Sequence, residues 1–260
     1  MRIATWNING VRARIDGLLG WLRETAPDAV CLQEIKCMDE GFPAAEIEAL
    51  GYRVIVHGQK GFNGVAILAK VPVEDIQRGL PGDASDVQSR YIEAVLGGAK
   101  GIARIGGLYL PNGNPIGTDK FDYKLRWMRR LIAHAEQRLA FEEPFVLLGD
   151  FNVIPEDIDA KRPDAWREDA LAQPQSRELF ARLKHLGFTD AVRACDLGAD
   201  VYTFWDYQAG AFQKNDGIRI DHLLLSPQAA DRLQGMGIDR FTRAWEKPSD
   251  HVPVWIELAD

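Results

Sequence analysis

The 260-residue sequence contains only three cysteines, and their positions do not match the spacing of a cysteine metal site. Cys31 lies in an apolar run, and the other two are Cys37 and Cys195. We therefore expect buried or inert thiols rather than a thiol-based site.

Long apolar runs and domain linkers are lacking as well. Residues 1–7 do not contain the apolar run of a signal peptide, and no stretch approaches the length of a membrane span. A soluble cytoplasmic protein with no membrane partner is expected. Gly/Ser-rich linkers, low-complexity segments and strong repeats are absent. With 46% hydrophobic residues the chain can bury one full core, so we predict a single domain over residues 1–260.

Positive charge is not in excess. Lys and Arg total 31 and Asp and Glu total 38, which gives a net charge of −7. An acidic total argues weakly against bulk, non-specific affinity for nucleic acid. It still permits a local basic face, because association follows the local field.

The hydrophobic pattern predicts strand-rich stretches interrupted by a few helices. Helices are expected over residues 15–26, 119–139 and 176–186. Strands are expected over residues 3–8, 29–33, 52–57, 64–69, 91–96, 102–109, 145–148, 201–205, 219–225 and 252–258. Because helices cover the faces of sheets, this order favours sheets packed together with helices outside.

Polar residues follow several of these strands. Asp150 and Asn152 come just after one strand, and an extended course would place both side chains on one face, roughly 6–7 Å apart along the backbone. There they could hold a water and a phosphate oxygen together. A strand-end turn stabilised by local hydrogen bonds explains the pair equally well.

Glu34 and Asn7 also stand at strand ends. A carboxylate at Glu34 suits Mg²⁺, which takes few protein carboxylates and keeps several waters. The alternative is an exposed glutamate paired with Lys36, a contact of little energetic value. Asn7 is either an amide that orients a ligand or a turn former.

The late motifs contain Asp221-His222 and Asp250-His251. A histidine beside a carboxylate is oriented and made more basic by it, which suits proton transfer or phosphate contact. His222 should point to the side opposite Asp221 if the strand is regular. We therefore favour His251 as the functional histidine. Tyr109 and Asn112, in the loop after another strand, could donate to phosphate oxygens, although the pattern alone is only a loop.

Taken together in this order, the motifs closely resemble the exonuclease III family of abasic-site endonucleases. Any one motif is weak, but the ordered set is specific and spans residues 6 to 254. The shared segments are residues 6–10 (WNING), 32–36 (LQEIK), 61–66 (GFNGVA), 109–112 (YLPN), 149–152 (GDFN), 202–207 (YTFWDY), 219–221 (RID) and 249–254 (SDHVPV).

This resemblance implies a four-layered α/β sandwich, with two mixed, mainly antiparallel sheets face to face and helices outside. It implies Mg²⁺-dependent hydrolysis of DNA, with Mn²⁺ as a substitute, chiefly 5′ to abasic sites and also as a 3′→5′ exonuclease and 3′-phosphatase. The expected partner is double-stranded DNA with abasic or blocked 3′ ends, bound by a monomer.

The resemblance also implies roles for individual residues. Glu34 would be the principal metal ligand, and Asp250 would hold a second metal position. The full metal-binding set is Asn7, Glu34, Asp150, Asn152, Asp250 and His251. The catalytic set is Tyr109, Asp150, Asn152, Asp221 and His251. Within it, Asp150 with Asn152 would orient and deprotonate the water, and Asp221 would orient His251.

Nine further residues fall where the family contacts its substrate. They are Asn9, Arg12, Lys36, Asn112, Phe204, Trp205, Ile218, Arg219 and Ile220. Phe204, Ile218 and Ile220 would line the pocket for the extruded sugar, although Ile220 suits an ordinary core equally well. Ile218 replaces a tryptophan of the animal relatives and Asn9 an aspartate, so the match is to the bacterial branch.

Two rival functions are considered. One is a catalytically inactive regulator that binds nucleic acid, which would be expected to lack the acidic and histidine positions retained here. The other is a different phosphoesterase of the superfamily, which would lack the segment from Phe204 to Tyr207 with Arg219.

Overall fold

The computed structural model describes residues 1–99 and 101–260. Its strands are β1 (Arg2–Asn7), β2 (Ala29–Gln33), β3 (Arg53–His57), β4 (Val65–Ala69), β5 (Val73–Arg78), β6 (Tyr91–Leu96), β7 (Ala103–Tyr109), β8 (Phe145–Asp150), β9 (Thr189–Asp190), β10 (Asp221–Leu225), β11 (Leu233–Ile238) and β12 (Val254–Leu258). The α-helices are α1 (Ile15–Thr25), α2 (Ala44–Glu48), α3 (Asp119–Leu139), α4 (Pro174–His185), α5 (Ala191–Cys195) and α6 (Pro227–Ala230). Short 3₁₀ helices occupy Arg12–Arg14, Asp39–Gly41, Asp157–Asp159, Pro163–Trp166 and Arg240–Ala244.

The strands form two six-stranded sheets. The first has the order β11-β12-β1-β2-β4-β3, and the second has the order β5-β6-β7-β8-β10-β9. One pair in each sheet is parallel, β1 with β2 and β7 with β8, and the remaining pairs are antiparallel. The sheets are therefore mixed and mainly antiparallel, as predicted.

The two sheets pack face to face over a shared apolar core. Ile3 and Cys31 of the first sheet belong to the same buried cluster as Ile105 and Leu148 of the second. Burying apolar side chains on the inner faces of two sheets removes them from water and is the main stabilising contribution.

Helices cover the outer faces. Leu18, Trp21 and Leu22 of α1 pack against the first sheet, and α3 and α4 pack against the second. Ala26 in a left-handed conformation caps α1, and Pro27 follows, so the helix ends as the sequence predicts. The four-layered α/β sandwich is thus confirmed.

Several local predictions are wrong. Residues 201–205 do not form a regular strand. Phe204 makes only isolated bridges, to Ile218 and to His251, because this segment divides its backbone hydrogen bonds between two different neighbours. The charged strand β5 and the glycine-containing strand β11 were not predicted, since neither shows a strong apolar alternation.

The topology brings the polar strand ends together. Parallel neighbours end at the same sheet edge, so Asn7 lies level with Gln33, and Tyr109 lies level with Asp150. Asp221, at the start of antiparallel β10, also lies level with Asp150. One end of the sandwich therefore gathers the polar residues that the sequence places after separate strands.

Candidate active site

Unusual backbone conformations occur in the loops that follow these strand ends, and we call the group of polar residues gathered there, around Glu34 and Asp150, the cleft. Asn9, Glu34, Lys36 and Asn152 all adopt positive φ values, between 46° and 55°. Such left-handed conformations are unfavourable for non-glycine residues and concentrate at functional sites. Gly149 precedes Asp150, and a Cβ there would lie 1.9 Å from the Leu108 carbonyl oxygen. Only glycine therefore permits this approach of β8 to β7.

Asn7 lies between two carboxylates. Its side-chain nitrogen is 2.9 Å from Glu34 Oε1 and 3.0 Å from Asp150 Oδ2, within hydrogen-bond distance of both. The amide oxygen of Asn7 accepts a hydrogen bond from the Asn9 backbone. In this arrangement Asn7 holds the two carboxylates at a fixed separation, and its oxygen faces away from them.

His251 is held by Asp221 on the other side of Asp150. The distance from His251 Nδ1 to Asp221 Oδ2 is 2.8 Å, and Thr203 also donates to that oxygen at 2.6 Å. The second oxygen of Asp221 is buried and has no hydrogen-bond partner within the described part of the chain. His251 Nε2 lies 3.7 Å from Asp150 Oδ2, so the imidazole connects the two aspartates.

Burial sets unusual proton affinities in this group. Burial, reinforced by the nearby Asp221, raises the pKa of Asp150 to about 7 although His251 opposes the rise. For His251, burial favours the neutral ring, but the carboxylates of Asp221 and Asp150 outweigh it and raise the pKa to about 10. Near neutral pH, the site therefore contains a protonated imidazolium beside a carboxyl group that readily takes up or releases a proton.

Glu34 has the opposite balance. Burial would raise its pKa, but the hydrogen bond from Asn7 and the charge of Lys36 together hold the pKa below its ordinary value. Lys36 Nζ lies 3.0 Å from Glu34 Oε2, so the ion pair considered from the sequence is present. The Glu34 side chain is 19% exposed, which leaves its ionised carboxylate accessible from the cleft.

Asn9 connects this side of the cleft to Asp250. The Asn9 amide nitrogen is 3.0 Å from Asp250 Oδ1, and Lys36 donates to the Asn9 amide oxygen at 2.5 Å. Ser249 donates to the Asn7 carbonyl and to Asp250, so the Ser-Asp-His segment is anchored to β1. Asp250 thus stands beside Asn9, apart from the aspartates that contact His251.

Tyr109 faces the same carboxylates. Burial, together with the charges of Glu34 and Asp150, raises the pKa of Tyr109 far above its usual range. Arg90 lies over the tyrosine ring, 4.9 Å from its centroid, and fixes its orientation. The phenol therefore stays protonated and can serve as a hydrogen-bond donor.

The carboxylate and amide oxygens of this group are suitable ligands for a hard divalent cation that keeps most of its water. Among residues 1–99 and 101–260, no three His, Cys, Asp or Glu side chains are grouped as a metal cage. Mg²⁺ does not need such a cage, since it commonly binds one or two carboxylates and several waters. Glu34, ionised and open to the cleft, meets that requirement.

A cavity of about 280 Å³ opens beside His251. Phe204 and Ile218 form one side of it, and Trp166, Arg162 and Asp216 are among its other lining residues. Phe204 packs against the His251 ring with centroids 5.0 Å apart. Phe204 therefore lines the cavity and also contacts the histidine of the polar cluster. Ile220 is buried in the apolar cluster behind Phe204 and does not line this cavity.

Two expected substrate contacts are contradicted by burial. Arg219 is 1% exposed and pairs with Asp159 and Asp190 on the far side of β10. Trp205 is fully buried, and its indole nitrogen donates to Asn215. Because neither side chain reaches the surface, both stabilise the loops around the cavity instead of touching a substrate.

The remaining polar candidates are accessible. Arg12 and Asn112 are exposed, and Asn9 and Lys36 are half-buried at the cleft. Asn112 donates to the side-chain oxygen of Asn152 at 3.2 Å, and Asn152 donates to the Leu110 carbonyl. His222 lies on the opposite side of β10 from Asp221, as expected, where its ring contacts the Val153 carbonyl oxygen.

Sequence reasoning missed several supporting residues. Thr203 holds Asp221, and its only sequence signal was its place beside Phe204. Arg90, over Tyr109, has no motif at all. Lys124 is buried beneath the cleft. The sequence did contain a signal for this residue, because a lysine interrupts the apolar face of α3.

The fold and this cluster define a phosphoesterase of the sandwich type, and comparison with known proteins identifies the family. Residues 4–251 match the Endonuclease/Exonuclease/phosphatase family, and the chain belongs to it. It is 38% identical over 266 residues to exodeoxyribonuclease III of Haemophilus influenzae, covering 99% of this chain and 100% of that protein.

Two further relatives are similar over the whole chain. The DNA repair nuclease APEX1 of Danio rerio is 33% identical, over 100% of this chain and 82% of its own length. A solved structure of the 3′ phosphatase NExo from Neisseria, a variant bound to a product DNA hairpin, superposes with a TM-score of 0.95. It is 37% identical, and the match covers both chains completely.

Proposed function

We propose that this chain is a Mg²⁺-dependent DNA repair nuclease that hydrolyses the phosphodiester 5′ to an abasic site. It also acts as a 3′→5′ exonuclease and 3′-phosphatase on duplex DNA. The observation that carries this proposal is the group formed by Asp150, His251 and Asp221, in which a carboxyl group with a pKa near 7 adjoins a protonated imidazole.

Glu34 would hold the Mg²⁺ ion, with Asn7 beside it and Asp250 at a second metal position. Mn²⁺ is expected to substitute, since it accepts the same oxygen ligands. When bound, the ion neutralises charge on the phosphate oxygens. Asn7 contacts both Glu34 and Asp150, and Asn152 and His251 also contact Asp150. These contacts keep this end of the cleft in one arrangement.

Asp150 accepts a proton from the attacking water. Its pKa near 7 permits it to be ionised at working pH while remaining a useful base, which is the optimum for proton transfer. Asn152, whose backbone nitrogen donates to Asp150 Oδ1 at 2.8 Å, keeps that carboxylate in position and offers an amide to the same water.

His251 and Tyr109 hold the scissile phosphate. His251 is protonated and oriented by Asp221, so its free Nε2 proton can be donated to a phosphate oxygen. Tyr109 remains a neutral donor because its pKa is raised. Fixed donors aimed at developing negative charge stabilise the transition state more than the ground state.

The cavity beside Phe204 and Ile218 receives the extruded sugar. An abasic deoxyribose is small and has one apolar face, and it loses little stacking when it leaves the helix. DNA as the substrate is supported by the NExo relative, whose structure contains a product DNA hairpin. We propose that the protein acts as a monomer in the cytoplasm. None of the helices in the described ranges is long and apolar enough to cross a membrane.

The test is cleavage of a duplex oligonucleotide with one abasic-site analogue, in Mg²⁺ and in EDTA. A second duplex that ends in a 3′-phosphate tests the terminal activities, and an undamaged duplex is the control. We expect one metal-dependent cut 5′ to the lesion that leaves a 3′-hydroxyl. Retained DNA binding without cleavage of either substrate would contradict the proposal and favour an inactive regulator.

A further inference from the structure

Lys124 is a buried charged residue that the proposed mechanism does not use. It lies on the inner face of α3 with no exposed surface, between apolar neighbours such as Phe121 and Leu125. Placing an ammonium group away from water costs free energy unless strong hydrogen bonds replace its hydration. The partners of Lys124 therefore indicate what the residue does.

Those partners are two backbone carbonyls at the cleft. Lys124 Nζ donates to the carbonyl oxygen of Asn112 at 3.0 Å and to that of Asn152 at 2.5 Å. The side chains of the same two asparagines are hydrogen-bonded to each other. One ammonium group thus joins the loop after β7 to the loop after β8.

The loop after β8 needs such support. Asn152 has a φ of 46°, a conformation that non-glycine residues adopt only when their surroundings enforce it. Its backbone nitrogen donates to Asp150 Oδ1, so displacement of Asn152 would also move the carboxylate. The contact from Lys124 acts on the opposite side of the same residue.

The stem of Lys124 is tightly enclosed. A Cβ on Gly113 would lie 2.6 Å from Lys124 Cδ, and Gly113 has a φ of 90°, so the loop passes directly over the side chain. Burial lowers the pKa of Lys124 to about 7, while attraction to Asp150 and Asp169 opposes that shift. The enclosed stem therefore holds the Lys124 amino group in one position, against the carbonyls of Asn112 and Asn152.

We propose that Lys124 is a positioning residue for hydrolysis. By donating to both carbonyls, it fixes the Asn112 and Asn152 amides and, through Asn152, the orientation of the Asp150 carboxylate. The inference rests on the proposed nuclease function and adds to it a residue outside the cleft. Loss of these donors should impair turnover more than DNA binding, because Lys124 itself has no exposed surface with which to contact DNA.

The test compares Lys124→Met with Lys124→Gln in the full chain. Methionine fills similar volume without a donor, so we expect kcat per folded molecule to fall about 10- to 100-fold, as expected for misplaced catalytic groups. KM, and the Kd for abasic duplex in EDTA, should change less than about threefold. Glutamine keeps a hydrogen-bond donor without exceeding the enclosed volume, and should give a higher kcat than methionine.

Lys120→Met is the matched control, because Lys120 is an exposed lysine one turn earlier on α3. It should leave kcat unchanged. If Lys124→Met does not fold, as judged by thermal unfolding, Lys124→Gln replaces it, and an intermediate kcat supports the proposal.

Two failures are distinguishable. Wild-type protein that cleaves no substrate contradicts the proposed function, and this inference falls with it. The inference alone is overturned if the wild-type protein cleaves normally and folded Lys124→Met has the same kcat. The same holds for folded Lys124→Gln where it replaces Lys124→Met. A kcat loss equal to the loss in DNA affinity also overturns it.

Discussion

Two histidine clusters lie on opposite sides of the first residues of strand β10, and they are built from similar side chains. The front cluster, at the cleft, contains Asp150, Asp221 and His251. The back cluster contains two aspartates and a histidine as well, together with two arginines. Its members are Asp159, Asp190, His222, the buried Arg219 and, at its edge, Arg193.

Arg219 compensates the negative charges of both aspartates in the back cluster. Burial would raise the pKa values of Asp159 and Asp190, but the charge and hydrogen bonds of Arg219 hold both below their ordinary value. Burial and the same guanidinium lower the pKa of His222 to about 4, so this histidine is neutral. Each carboxylate has a permanent partner, and the cluster has no proton to exchange near neutral pH.

The front cluster has no permanent cation. Burial raises the pKa of Asp150 to about 7, and one oxygen of Asp221 has no hydrogen-bond partner among residues 1–99 and 101–260. The positive group in contact with both aspartates is the His251 imidazolium, which itself titrates. Similar residues therefore stabilise the fold on one side of the strand and remain available for proton transfer on the other.

The substitution with the largest expected effect disrupts the front cluster. Asp150→Asn removes the proton acceptor, so kcat on abasic duplex should fall by about 10²- to 10⁴-fold, the usual contribution of a general base. DNA binding measured in EDTA should persist, because the amide keeps the shape of the site. The exposed Asp164→Asn is the control. A near-normal kcat would remove Asp150 from its role.

The corresponding change in the back cluster should affect stability. Arg219→Met leaves Asp190 buried without its cation and removes one of the two guanidinium partners of Asp159, and breaking a buried pair in this way costs about 3–5 kcal/mol. Urea denaturation measures the loss in the free energy of unfolding. The exposed Arg126→Met should change it by less than about 0.5 kcal/mol. If Arg219→Met unfolds like wild type, the back cluster does not have the stabilising role assigned to it.

A third change tests the metal side of the cleft. Glu34→Ala should raise the Mg²⁺ concentration for half-maximal activity about tenfold or more, since a bond to a charged group contributes about 1.5–3 kcal/mol. The measurement is a Mg²⁺ titration of cleavage at fixed DNA concentration. An unchanged midpoint would argue against Glu34 as a ligand.

The smallest effect concerns the pH profile. With the pKa of Asp150 near 7 and the pKa of His251 near 10, activity should rise through pH 7, as the carboxylate forms, and fall near pH 10, as the imidazolium is lost. Asp221→Asn removes a charge that raises the pKa of His251. The falling limb should therefore move down by about 1 to 3 pH units. A profile that does not move would show that Asp221 does not set the charge of His251.

Much of this arrangement follows from the sequence, because strongly periodic apolar residues determine helices and strands locally. Helix α3 has the bounds that its apolar spacing predicts, residues 119–139, and the polar residues at the strand ends meet because parallel neighbours end together. His222 was assigned to the side opposite Asp221 from strand alternation alone, and it lies there.

The misses have a common physical cause. Arg219 was expected at the substrate because of the family resemblance alone, and strand alternation could not test this, since β10 begins only at Asp221. Residues 201–205 are apolar and β-prone, yet their partners belong to two segments distant in sequence. Side-chain direction outside regular elements depends on tertiary partners that local pattern does not specify.

The central claim is that the front cluster serves chemistry and the back cluster serves stability. The most direct test measures urea unfolding and single-turnover cleavage side by side for Asp150→Asn and Arg219→Met. We predict that Asp150→Asn loses cleavage while its free energy of unfolding stays equal to or above that of wild type, because a poorly compensated buried carboxylate has been removed. Arg219→Met should lose stability but cleave at a rate near that of wild type per folded molecule. If each variant loses both properties in parallel, the division of roles is contradicted.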